Sequence, residues 1–147
     1  MEEIMKKTEK TIFEATEKVE FPQYCGGINV YLVFSEDIET SAETILPMHN
    51  MKIPKEFPKY SAAFTSYADS AFDVVIMYGP EIDPGIIAHE SYHAIKWLFR
   101  RIGATEEDEE VFAYHLDYLV LKTNDFLKDI IKQQKNVEKP LDKTENL

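Results

Sequence analysis

Between residues 84 and 102 apolar side chains recur at helical spacing through Ile87, Ala94, Ile95, Leu98, Phe99 and Ile102. The repeat runs almost all round the axis, the pattern of a helix held between a sheet and another helix. Asp83-Pro84 supplies an N-cap with proline at the first helical position, and Gly103-Ala104 supplies a stop. Thr105, with Asp108 three residues later, resembles a capping box opening a second long helix to about Ile131. From Lys132 onward the chain is polar without a packing stripe and is expected to be a flexible tail.

Upstream the periodicity changes. Ile28 to Phe34 predicts a strand, because Val30, Tyr31, Val33 and Phe34 are strong strand formers. Ser35 is expected to cap a short helix reaching about Leu46. Pro47 to Tyr60 carries three prolines and little periodicity, so it reads as a loop long enough to border a cleft. Ala62 to Tyr67 and Phe72 to Tyr78 read as two strands joined by a tight turn at Ala68-Asp69-Ser70-Ala71. Residues 2 to 20, rich in Glu and Lys, place Ile4, Thr8, Thr11, Ile12, Ala15 and Val19 at helical spacing, which predicts an amphipathic helix packed on the domain. These elements make an α+β fold: a small antiparallel or mixed sheet packed on a central helix, 84 to 102, and on a second long C-terminal helix. Residues 1–131 are expected to form one domain and 132–147 the tail.

The 147 residues suffice to hide about two-thirds of the unfolded surface, so a true core is expected without a disulfide or metal staple. Sixteen basic against twenty-seven acidic residues give a net charge of −11, which disfavours phosphate backbones and anionic lipid surfaces. Neither a nucleic acid nor a membrane is therefore an expected partner. The single Cys25 cannot form an internal disulfide, and Met1-Glu2-Glu3 lacks the basic then apolar order of a signal peptide, so a cytoplasmic location is expected. Charge totals do not locate charges; an acidic cleft would favour basic peptides.

Within the central helix lies the pentad His89-Glu90-Ser91-Tyr92-His93. Residues four apart share a helical face with Cβ atoms roughly 5–6 Å apart, so both imidazoles can reach one metal ion. Glu90, one position on, is rotated off that line, where its carboxylate can miss the ion yet reach a water beside it and take its proton. The plainer alternative is a helix whose histidines only pack or hydrogen-bond. A catalytic zinc takes three protein ligands and leaves one position open, so a third ligand is needed. Glu106, Glu107, Asp108, Glu109 and Glu110 crowd the start of the next helix, where its dipole favours carboxylates with no metal at all. Glu110 is preferred, because Ala113 one turn on would let the two helices approach closely. A simple antiparallel hairpin sets Glu110 level with Trp97 and about 6 Å from the level of His93. His115 is better placed by level alone and stays a rival ligand, as does Glu109; the structural reading of His115 is a core histidine between Tyr114 and Leu116.

From Ile86 to Tyr118 the chain resembles small zinc peptidases of the gluzincin type, in which the HExxH helix is followed by a helix bearing a ligand glutamate in a Glu-x-x-Ala context. It is similar in particular to short peptidase-like proteins of bacteriophages, through Asp108-Glu109-Glu110-Val111-Phe112-Ala113-Tyr114. The resemblance implies zinc on His89, His93 and Glu110, Glu90 as general base, and a zincin-like α+β fold whose edge strand borders the cleft. The step from His93 to Glu110 is compact, and no downstream histidine or tyrosine is assigned to the oxyanion. The expected activity is zinc-dependent hydrolysis of a peptide bond in a peptide or protein substrate. The alternative is a non-catalytic interaction protein with a structural or vestigial zinc site. An extended peptide could pair with strand 72–78 if that strand lies at an edge; the alternative is an interior strand. Tyr92 and Tyr114 are candidate donors to an oxyanion, although an aromatic beside a core helix is more often a packing residue. Asp117 is a candidate acceptor behind a ligand imidazole or, equally, a surface residue.

Overall fold

The computed structural model describes residues 12–21, 28–55, 62–67, 73–104 and 107–138. In chain order the elements are strands β1 (Glu14–Phe21) and β2 (Ile28–Ser35), helix α1 (Ile38–Met48), strands β3 (Ala63–Tyr67) and β4 (Asp73–Tyr78), and helices α2 (Pro84–Ile102) and α3 (Glu109–Glu138). The sheet is mixed, in the order β1-β2-β4-β3. β1 pairs antiparallel with β2, with Val19 opposite Val30. β2 runs parallel to β4, with Leu32 opposite Ile76, and β3 returns antiparallel along β4, with Thr65 opposite Ile76. The α+β class and the mixed sheet agree with the sequence pattern.

The two central strands are apolar on both faces because both faces are covered. Val30, Leu32 and Phe34 of β2, with Val74, Ile76 and Tyr78 of β4, join Ala94, Ile95, Leu98 and Phe99 of α2 and Leu119, Phe126 and Ile130 of α3 in the larger core. The intervening residues Val33, Val75 and Met77 point to the other face, where Ala42, Ile45 and Leu46 of α1 cover them. Met51 is buried in that second core, so this residue of the 47–60 loop packs on the face of the sheet away from α2. His49 closes this side, its Nδ1 3.1 Å from Asp73 Oδ2 and its ring against Tyr31.

Three expectations need correction. Residues 14–20 form strand β1 instead of an amphipathic helix; residues 2–11 lie outside the described residues. Ala15 and Val19, four apart, satisfy a helical period and a strand period alike. With Phe13 and Phe21 the odd positions make one strand face, and the open edge of β2 decides between the two. Ser35 does not cap α1. Asp37 does, accepting from Thr40 N at 3.2 Å, while Ser35 Oγ accepts from Asp37 N at 3.0 Å and lies 2.6 Å from Ser41 Oγ. The second long helix continues to Glu138, seven residues past the expected stop at Ile131, so the polar start of the expected tail is helical. Thr105 of the expected capping box and the 68–71 turn lie outside the described residues.

α2 keeps its expected bounds because its signals are local. Asp83 is extended and accepts from Ile86 N at 2.8 Å, Pro84 follows, and Gly103 ends the helix at φ 78° with Ala104 N–H bonded to Phe99 O. Leu98→Ala, at a fully buried position, should lower the unfolding free energy by about 2–5 kcal/mol. Gly103→Ala, where an added Cβ meets no atom within 4 Å, should cost only the left-handed backbone penalty of about 1–2 kcal/mol. Urea titration of the two variants checks the order. Burial pushes the Tyr78 phenol well above its ordinary value of 10, and the Glu90 carboxylate adds to the effect. A raised folded pKa means that stability from neutral Tyr78 is intact below pH 10 and is lost as pH climbs beyond it. Tyr78→Phe should therefore lose less stability than the parent between about pH 9 and 11 in the same titration.

Candidate active site

The rotation of α2 is fixed by what it buries. Ile87, Ser91, Ala94, Ile95 and Leu98 face the sheet, and successive residues step by about 100°, which turns His89 and His93 outward and leaves Glu90 at the boundary. The histidines are exposed, whereas Glu90 retains only 7 % of its surface. Their Nε2 atoms stand 3.1 Å apart, with the rings nearly perpendicular. Glu90 Oε2 lies 3.9 Å from His89 Nε2.

Thr65 of β3 holds the carboxylate from the opposite side. Its hydroxyl donates to Glu90 Oε1 at 2.7 Å and lies 3.2 Å from the Glu90 carbonyl oxygen. One oxygen of a buried acid is thus engaged by the sheet, and the other is turned toward the histidines. This bond offsets the cost of burying a carboxylate and restricts its rotation. Ile76, opposite Thr65, sits behind the same site on β4.

β3 is the outermost strand on this side, and β4 is interior between β2 and β3. Strand 72–78 is thus the interior strand of the alternative reading, and on this side of the sheet the outermost described strand is 63–67. Gly79 N–H bonds Ala62 O at 2.8 Å, which sets the phase of the antiparallel ladder. By its alternation the backbone N–H and C=O groups of Ala63, Thr65 and Tyr67 point away from β4, along an edge that no other strand pairs among the described residues. Between this edge and α2 runs a cleft with two recesses. One of about 360 Å³ lies toward Asp83, Gly85 and His89; the other, of about 400 Å³, lies past His93 toward Trp97 and Arg100. Ala63 and Glu90 line both.

Two imidazole nitrogens on a tetrahedral zinc, each about 2.0–2.1 Å from the ion, stand about 3.3 Å apart. The observed 3.1 Å fits that spacing, and it equally suits one ring donating to the other. The third expected ligand is not brought to them. Glu110 is exposed in the first turn of α3, and among the described residues no three His, Cys, Asp or Glu side chains form a group able to hold a metal ion. Glu109 is likewise exposed. His115 points into the core, stacked on Phe21 at 5.6 Å and edge-on to Phe99 at 5.4 Å, with Nδ1 2.8 Å from Val111 O. Tyr92 packs on Phe112, while Tyr114 and Asp117 are exposed on α3.

Sequence reading missed Thr65, Tyr67, Trp97 and Arg100. The first two were placed correctly on a strand, but nothing local says which helix that strand will face. No helix among the described residues is long and apolar enough to cross a membrane. Compared with protein-family models, with curated proteins and with solved structures, the chain matches none of them.

Proposed function

We propose that the chain is a zinc-dependent hydrolase of peptide bonds with a zincin-like cleft, in which His89, His93 and Glu110 hold the ion and Glu90 is the general base. The observation that carries this reading is the pair of Nε2 atoms 3.1 Å apart beside a buried carboxylate that an edge strand orients. When bound, zinc supplies Lewis acidity toward the carbonyl and brings the pKa of the water it holds near neutrality. Glu90 takes the proton of the attacking water on the oxygen that Thr65 leaves open and returns it to the departing nitrogen. The free edge of β3 orients the substrate, since an extended peptide can pair with the outward groups of Ala63, Thr65 and Tyr67. Water is excluded from the back of the site by Tyr78 and Ile76, both fully buried.

The absence of a third ligand beside the histidines among the described residues favours a second reading, a non-catalytic interaction protein with a vestigial or structural zinc site. The two readings part on one variant. Glu90→Gln should retain stoichiometric zinc and an unchanged circular-dichroism spectrum while cleavage of a peptide library, read by mass spectrometry, falls at least about 100-fold. Equal cleavage by parent and variant removes Glu90 from the mechanism, and no cleavage by the zinc-loaded parent favours the second reading. Ligation is checked separately by metal analysis after dialysis: Glu110→Ala and His93→Ala should lose zinc, and His115→Ala should keep it. Retention of zinc by Glu110→Ala would reassign the third ligand.

A further inference from the structure

The face of α2 that carries His89 and His93 continues through Lys96 and Arg100, at steps of four, three and four residues. Lys96 and Arg100 line the recess beyond His93 on a chain of net charge −11. Glu90 is the one acid lining that recess among the described residues, and one of its oxygens already accepts from Thr65. Basic residues in the last turn of a helix also complement its dipole, which alone explains no recess. Here the walls are aromatic as well. Trp97, 4 % exposed, has Tyr67 of the edge strand at 5.4 Å and the Arg101 guanidinium 5.5 Å from its ring centroid. The Lys96 ammonium stands 5.9 Å from the ring centroid of Tyr92, which packs on Phe112 and is not among the residues lining the recess. A recess lined by two cationic side chains, Lys96 and Arg100, and by the aromatic rings of Phe64, Tyr67 and Trp97 can recognise a carboxylate on an apolar stem.

We infer that the recess past His93 is a specificity subsite for a carboxylate, with Arg100 as the residue that selects it, so that the substrates are acidic peptides and not the basic ones an acidic cleft would take. This rests on the reading of the cleft as a peptide site. Arg100 is seven residues from His93, about 10 Å along the helix. An extended chain covers that distance in about three residues, so the selected carboxylate sits about three positions from the bond under attack. It comes either from an Asp or Glu side chain or from the peptide's own C-terminus.

Trp97 is the single tryptophan of the chain, so its fluorescence reports occupancy of this recess. The full chain carrying Glu90→Gln, which should not turn over, is titrated with three alanine-based heptapeptides. One has a central Glu and blocked ends, one has Gln at the same place, and one has Gln and a free C-terminal carboxylate. The Glu peptide is expected to bind about tenfold more tightly than the blocked Gln peptide in low salt, with the advantage shrinking as salt rises. Adding Arg100→Ala should remove the advantage, and Arg100→Glu should reverse it in favour of a Lys peptide. If only the free C-terminus improves binding, the selected group is the terminal carboxylate. Equal affinities for all three peptides, no fluorescence response, or a preference that survives Arg100→Glu would overturn the subsite. Arg100 is exposed, and unchanged melting temperatures would show that its variants fold. Binding that follows charge with no cleavage by the zinc-loaded parent would sink hydrolysis and keep the subsite; cleavage indifferent to charge would do the reverse.

Discussion

The bond from Thr65 to Glu90 joins the two parts on which everything else at this site depends. β3 is short and lies at the sheet edge, and α2 packs against it. Without a polar tie, a carboxylate 7 % exposed at their junction would be a liability, because an ionised group in a partly dry site is stable only when it is hydrogen-bonded. With the tie, the same carboxylate becomes a fixed acceptor. Its position then follows from helix phase: Ser91, Ala94 and Ile95 go under the sheet, Glu90 stays at the boundary, and both histidines face the cleft. A rotation of α2 by one residue would bury a histidine and expose the acid.

The cleft is polarised in a way that the net charge conceals. At one end Asp83 caps α2; at the other Lys96 and Arg100 line a recess together with Trp97. A field summed over −11 charges repels an acidic peptide at long range and so slows encounter, while the local cations favour it once it is inside. The two effects act at different distances. Salt screens the long-range part first, because the Debye length is about 8 Å at physiological ionic strength and contacts within the recess are shorter.

α2 was legible residue by residue because its cap, its proline and its terminal glycine act within one turn of the chain. β2, β3 and β4 were legible as strands through β-branched and aromatic runs, yet their order was not. Which strand lies at the edge depends on β4 inserting between β2 and β3, a decision made between segments about forty residues apart. For the same reason the sequence left open whether strand 72–78 lies at the edge or inside, and Thr65, 25 residues from Glu90, carried no signal. β1 was misread because Ala15 and Val19 satisfy two periods, and its pairing with β2 was what chose. The histidine pair was legible because both rings sit on one helix.

The third ligand shows where sequence spacing stops being informative. The height of α3 on α2 is set by Phe112 against Phe99 at 5.0 Å and against Tyr92 at 5.4 Å, and by His115 wedged between Phe99 and Phe21. Those contacts keep Glu110 in an exposed first turn, while Leu119, Phe126 and Ile130 anchor the rest of the helix in the core. A Glu-x-x-Ala pattern fixes which side of α3 carries the carboxylate but not its level on the neighbouring helix, and three aromatic contacts decide that level. On the proposed reading, Glu110 could reach the histidines only by displacing the Phe112 packing, each aromatic pair contributing about 0.5–1.5 kcal/mol beyond its buried area.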